Sequence, residues 1–374
     1  MRKSNTIIPI TRPYMPPKDL FMKYANTIWE TRWLTHGGPL VGEFQKKLCK
    51  RLQVPHTVVF ANGHLALDCA MKALDLHDGE AITTPFTYIS TSHALSMNNL
   101  KPVFCDIKAS DCTIDENKIE ALITDRTKVI VPVHVYGFPC NHEAIQKIAD
   151  KHGLKVVYDS AHAFGVRIHG EGIGNWGDAS MFSFQATKVF QTVEGGMVAF
   201  KDSALENKLI AAKNFGMVAA EEAESISFNG KMPELCAAMG LANLEILEEQ
   251  ISKRRELIEH YISRLQKLPD LSLFSWNEPG VEYNYAYFPV LVRTGAKVSR
   301  DELASRLSEN YNIQIRKYFY PLLSDLKCYK LEHNSKDTPI AKDISDRVMT
   351  LPLYVDLTHD QVDYICDAIE EIQK

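Results

Sequence analysis

Between residues 55 and 200, short apolar runs alternate with amphipathic stretches, and this alternation limits the fold more than any other feature of the chain. Residues 57–60 form a β-branched run that stops at Ala61-Asn62-Gly63, and residues 65–74 then carry apolar side chains at helical spacing. Residues 80–84 return to strand before Pro85, and residues 129–133 read as a buried strand. Residues 143–152 form an amphipathic helix closed by Gly153, and the next strand, from Lys155, ends at Asp159. This order predicts an α/β chain with a mostly parallel sheet covered by helices on both faces. Ligands of such sheets collect at the C-terminal strand ends. Asn62-Gly63, Pro85 and Asp159 all fall there.

The texture changes after Gly230. Residues 233–268 carry one long helical pattern with Pro233 near its start, residues 285–292 look strand-like, residues 299–310 helical, and a last helix starts at Thr358. A chain of 374 residues suits two domains. We expect a large domain over 1–250, N-terminal segment included, and a smaller α+β domain over 251–374. Lys and Arg total 42 against 47 Asp and Glu, a net charge of −5, so no basic excess serves a nucleic-acid backbone. The eight cysteines include no C-x-x-C pair and read as reduced thiols. Polar residues interrupt the apolar stretch at 81–100, and Pro9 breaks the run Ile7-Ile8. Neither a membrane span nor a signal peptide is expected, and the expected compartment is the cytoplasm.

Three places could carry chemistry. Lys188 closes the run Met181-Phe182-Ser183-Phe184-Gln185-Ala186-Thr187. A desolvated lysine loses its charge and becomes a nucleophile for a carbonyl or an aldehyde cofactor, whereas a lysine opening a surface loop does nothing of the kind. Asp159 could keep a pyridine nitrogen protonated or simply cap a helix, and His162 could lie on that helix's face. The junction Asn62-Gly63-His64 offers backbone N–H groups and a helix dipole to an anion, though a glycine there could also serve only a turn. Gly195-Gly196 reads as a flexible turn. His134, Cys140 and His142 match no zinc spacing, and no metal site is expected. Neither a Gly-x-Ser-x-Gly elbow nor a Walker lysine is present.

Further motifs stand in order along nearly the whole chain. They are Trp33-Leu34-Thr35 with Gly37-Gly38-Pro39, Pro85-Phe86-Thr87-Tyr88, Pro132-Val133-His134-Val135-Tyr136-Gly137, Asp159-Ser160-Ala161-His162, Glu194-Gly195-Gly196, Asn214-Phe215-Gly216 and Asn229-Gly230-Lys231-Met232. With Asn62-Gly63 and the Lys188 segment, they make the sequence resemble the DegT/DnrJ/EryC1/StrS sugar aminotransferases. The resemblance implies the PLP-dependent transferase fold type I, pyridoxal 5′-phosphate (PLP) as cofactor, and a homodimer with a shared active site. It implies that Lys188 holds the cofactor and carries the proton, that Asp159 faces the ring nitrogen, and that His162 contacts the ring's phenolic oxygen. Tyr88 would stack on the ring. The Gly63 and His64 backbones and the Ser183 hydroxyl would bind the phosphate, and Asn229 would reach the neighbouring subunit's phosphate.

The chain departs from that pattern twice. Gln185 stands where the family commonly has His, and His64 where it commonly has Thr. Gln185 keeps hydrogen-bonding capacity but cannot titrate near neutrality. The likeness is greatest to 4-aminotransferases that use glutamate to aminate dTDP-4-keto-6-deoxyglucose, releasing 2-oxoglutarate. It rests on residues 186–196, residues 229–232 and Arg316-Lys317-Tyr318-Phe319-Tyr320-Pro321. Cations and aromatics in the last segment suit a pyrophosphate and a sugar, unless it is only a solvated strand end. Arg316, Lys317 and Tyr318 therefore join Thr35, Gln185 and Lys231 as expected substrate contacts. The rival readings are a 3-aminotransferase and a non-catalytic nucleotide-sugar-binding relative. Damage at Lys188 or Asp159 would mark the second, and both are intact.

Overall fold

The computed structural model describes residue 4 and residues 6–374. Its central sheet has seven strands: β1 (His56–Phe60), β2 (Gly79–Thr83), β3 (Leu100–Phe104), β4 (Thr127–Ile130), β5 (Lys155–Asp159), β6 (Ala179–Ser183) and β7 (Gly196–Phe200), in the order β1-β7-β6-β5-β4-β2-β3. The block from β3 to β6 is parallel, and β7 runs antiparallel to both β6 and β1. The sheet is thus mixed but mostly parallel. Val129, Ile130, Val156, Val157 and Tyr158 are fully buried, as strands covered on both faces require.

Local signals set the ends of these elements. Asn62 caps the Gly63–Ala73 helix by accepting the Leu65 N–H at 2.9 Å, and Gly153 closes the His142–His152 helix at φ +67°. β4 stops at Ile130, short of the expected residue 133. Pro132 has no N–H to give the ladder, so only its carbonyl contributes, accepting the Asp159 N–H at 2.9 Å. Gly196 is no flexible turn: it opens β7 between Phe60 and Ser183, and a Cβ there would lie 2.6 Å from the Asn62 carbonyl carbon.

The expected long helix at 233–268 is two helices, Glu234–Glu245 and Leu247–Leu265, broken at Ile246 (φ −116°, ψ 6°). The first is buried almost all round among its alanines. The second buries a stripe of Leu257, Ile258, Tyr261 and Leu265 against a different cluster. Both halves carry helical spacing, so the break does not show in the pattern. That second cluster surrounds an antiparallel sheet of β8 (Leu271–Leu273), β9 (Phe288–Val292) and β10 (Val348–Leu351), covered by the Arg300–Tyr311 and His359–Gln373 helices. Ile8 pairs with Ile313 and is buried in the same cluster. We propose residue 250, inside the Leu247–Leu265 helix, as the division, with the strip around Ile8 crossing back to the C-terminal unit. Among the described residues no helix is long and apolar enough to cross a membrane.

Candidate active site

The C-terminal ends of β1, β2, β5 and β6 open into a cavity of about 630 Å³, within the range of small-molecule sites. Each strand brings one kind of chemistry. After β1, the Gly63–Ala73 helix points its N-terminus into the cavity. Asn62 takes the Leu65 N–H by its side chain and the Ala66 N–H by its carbonyl, which leaves the amides of Gly63 and His64 for an anion. A Cβ on Gly63 would sit 2.8 Å from Ser183 Cβ, so only glycine lets this loop close on the Ser183 hydroxyl at the end of β6. The His64 imidazole is fixed by Ser90, Nδ1 to Oγ at 2.8 Å.

Asp159 ends β5 and is almost fully buried. No helix follows it, so it is not an N-cap. Its Oδ1 accepts the Ala161 N–H at 3.0 Å and its Oδ2 the Thr91 hydroxyl at 2.7 Å. Burial pushes its pKa up, while these two donors and the nearby Lys188 oppose that shift. His162 is likewise in a turn and not on a helix. Its Nδ1 accepts the Tyr136 N–H at 3.1 Å, and burial, with Lys188 adding to it, pushes its pKa well below the usual value. A neutral ring accepting at Nδ1 carries its proton on Nε2 and can donate there. Phe319 stacks on the same ring, at 5.9 Å between centroids and 7° between planes.

Lys188 is half-buried in the cavity wall. Burial lowers its pKa, and the Arg316 guanidinium pushes the same way against Tyr318, Asp159 and Tyr88. A lysine so placed reaches its neutral, nucleophilic form at lower pH than a surface lysine.

Of the expected residues, the cavity collects Gly63, His64, Tyr88, Asp159, His162, Ser183, Gln185, Lys188, Arg316 and Tyr318. Thr35, Lys231, Lys317 and Asn229 are not among its lining. Arg316 forms an isolated bridge with Thr350, and Tyr318 follows in a turn. Arg316 covers the Tyr318 ring at 4.4 Å, while Lys317 turns away to Asp301 at 2.5 Å. Lys231 is held by Asn214 Oδ1 at 2.9 Å, over the Phe215 ring. Thr35 and Asn229 are exposed outside the cavity. His134 accepts the Cys140 N–H and stacks on Tyr158, whereas His142 stacks on Trp176.

The sequence reading missed Thr91, the hydroxyl under Asp159, and Thr87, whose hydroxyl lies 3.2 Å from it. It also missed Ser90 behind His64 and Phe319 on His162. Thr87 and Phe319 lie inside quoted motifs. Thr91 stands one helical turn after Thr87, which was the available signal.

These residues fit PLP. Free amides at a helix N-terminus suit its phosphate, a buried carboxylate suits its ring nitrogen, and a lysine of lowered pKa lines the same cavity. When bound, PLP supplies an aldehyde and an electron-withdrawing ring that stabilises negative charge on the carbon losing its proton. Asp159, held by Thr91 and Ala161, would keep the proton at the ring nitrogen. His162 would donate from Nε2. We propose that the Lys188 amine would take a proton from one substrate carbon and return one to another, which requires it to be neutral for the first step and within reach for both. Phe319 and Tyr318, which line the same cavity, would help exclude water from that transfer.

The model of the DegT/DnrJ/EryC1/StrS aminotransferase family matches residues 18–370. The chain is 39% identical to the dTDP-4-amino-4,6-dideoxy-D-glucose transaminase of Shigella dysenteriae, over 97% of this chain and 98% of that one. It is 31% identical to the GDP-perosamine synthase of Escherichia coli O157:H7, over 97% and 98%. Its fold superposes on the crystal structure of DesI in the presence of its TDP-sugar product with a TM-score of 0.94, at 30% identity, covering 100% of this chain and 94% of that one. With a cavity that presents a lysine, a buried carboxylate and a phosphate cradle, this chain belongs to the DegT/DnrJ/EryC1/StrS aminotransferase family and is a PLP-dependent nucleotide-sugar aminotransferase.

Proposed function

We propose that the chain transfers the amino group of glutamate to dTDP-4-keto-6-deoxy-D-glucose, giving dTDP-4-amino-4,6-dideoxy-D-glucose and 2-oxoglutarate. The observation that carries this reading is the near full-length similarity to the Shigella dysenteriae transaminase, well above that to the GDP-perosamine synthase. PLP would supply the carrier for the nitrogen that passes from glutamate to the sugar ketone, and Lys188 would deliver the proton to C4. Arg316, a cation beside Lys188 that forms no ion pair among the described residues, is available to the anionic parts of both substrates.

The reading includes a homodimer. Asn229 is exposed and lies outside its own cavity, which supports its expected role at a neighbouring subunit's phosphate. Exposed Trp29, Trp33, Leu34 and Phe215 would be covered in such an assembly. Cytoplasmic action is consistent with eight free cysteines.

The test is incubation of the protein with PLP, glutamate and the dTDP-linked 4-keto sugar, with the product followed by mass spectrometry and NMR. A 4-amino product is expected. Amination of a GDP-linked 4-keto sugar or a 3-keto isomer in its place would keep the aminotransferase and reject this substrate.

A further inference from the structure

Gln185 is the residue at which this chain departs from the motif beside its lysine, and its amide has a fixed orientation. The Thr187 backbone N–H lies 2.9 Å from Gln185 Oε1, and the Thr187 hydroxyl 2.5 Å from the same atom. A backbone N–H can only donate, so the atom facing it must be the carbonyl oxygen and not the NH₂. The Gln185 carbonyl also accepts the Lys188 N–H at 2.9 Å, closing the turn that carries the lysine. Both Gln185 and Thr187 line the cavity. The amide's acceptor is therefore spent within the turn, and Nε2 has no partner among the described residues.

We propose that Gln185 Nε2 is a specificity determinant, a neutral donor that reads an uncharged oxygen, hydroxyl or ketone, on the sugar next to the carbon being aminated. The inference rests on the proposed amino transfer to a keto sugar. Two features favour a neutral oxygen of the sugar over a carboxylate of glutamate. Arg316 already stands in the cavity without an ion pair among the described residues and serves an anion better than an amide does. Gln185 is also coupled to Lys188 by one short turn, and both residues line the same cavity. A histidine in this position would change charge near neutrality and could accept as well as donate. Gln185 keeps no charge and, with its oxygen taken by Thr187, offers only its NH₂, so the contact keeps one polarity at all working pH values. A site that donates a fixed N–H discriminates against an analogue lacking the acceptor, because a donor covered by the bound sugar is then left unpaired.

Gln185→Glu separates the donor from the turn. One carboxylate oxygen still accepts from Thr187, while the group facing the sugar becomes an acceptor. The two half-reactions are measured apart on the PLP-loaded protein. Loss of the cofactor's visible absorbance follows glutamate, and its return follows the keto sugar. We expect kcat/KM for the keto sugar to fall by roughly 10- to 100-fold in the variant while the glutamate half-reaction changes by less than about 3-fold. Part of the loss should be recovered as the pH is lowered and the new carboxyl group gains a proton it can donate. An equal fall in both half-reactions would show that Gln185 only places Lys188, and a fall confined to glutamate would move the contact to the amino donor. No change would remove the role. Each of these three outcomes overturns the proposal. If the unaltered protein bleaches with glutamate yet aminates no 4-keto sugar, the substrate assignment fails and the Gln185 proposal goes with it. That result is read before any variant is made.

Discussion

Burial pushes both Lys188 and Lys213 toward neutrality, yet of these two only Lys188 lines the cavity. Lys213 is the more firmly held: its Nζ donates to the Val59 carbonyl at 2.9 Å and lies over the Phe60 ring, and burial, with Lys231 adding to it, lowers its pKa to about 8. Lys188 is lowered by burial and Arg316, with Asp159, Tyr88 and Tyr318 opposing. The comparison teaches that a depressed lysine pKa is not a catalytic signature in itself. What separates the two is access and company. One amine lines a cavity shared with a carboxylate and an anion cradle, and the other is tied to the Val59 carbonyl of β1, away from that cavity.

The comparison breaks first at the lysines themselves. Lys188→Ala should lower amino transfer by at least about 10³-fold and remove the visible absorbance of bound cofactor, whereas Lys213→Met should leave both in place. Loss of transfer in the Lys213 variant, measured at matched folded fraction, would cancel the distinction. Asp159→Asn should cost about 10²-fold in rate, because a neutral amide does not hold the ring nitrogen's proton as a carboxylate does. Single-turnover rates with glutamate decide this.

Thr91→Val sharpens the same point one contact further out. It removes a buried donor to a carboxylate, worth on the order of 1.5–3 kcal/mol, and should slow transfer about tenfold with little effect on substrate KM. An unchanged rate would show that Ala161 alone holds Asp159. The smallest effect concerns stability. The Lys213 pKa is lower in the folded chain than the ordinary 10.5. Between about pH 8 and 10.5 the unfolded state therefore binds more protons, and this group makes stability rise with pH. Over that window the unaltered protein should gain roughly 2–3 kcal/mol relative to Lys213→Met. Denaturant titrations at both ends of the window would show the gain, and parallel curves for the two proteins would contradict it.

Much of the site was legible because its chemistry is tied to strand ends. Gly63, Asp159 and Lys188 each stand where an apolar run stops, and the parallel sheet sends all such points to one edge. The residues that were not legible depend on contacts distant in sequence. Thr91 matters only because its helix lies against the end of β5. Lys317 was expected to face the substrate with Arg316 and Tyr318. Arg316, bridged to Thr350, lies over the Tyr318 ring, while Lys317 pairs with Asp301, a residue distant in sequence. The break at Ile246 was hidden for a similar reason, since two helices serving two cores share one periodic pattern.

The family resemblance implied the roles of Lys188, Asp159 and the anion site; by itself, the order of apolar runs, caps and glycines determined an α/β sheet with Asn62-Gly63, Pro85 and Asp159 at its strand ends. These are local properties, written in spacing and in the few residues that suit a turn or a cap. Tertiary structure alone decided which side chains of the C-terminal unit enter the cavity, that Asp159 is held by Thr91, and that the Gln185 amide offers a donor. Orientation and protonation depend on which groups surround a side chain once water has been excluded. Those neighbours come from strands and helices far apart in the chain.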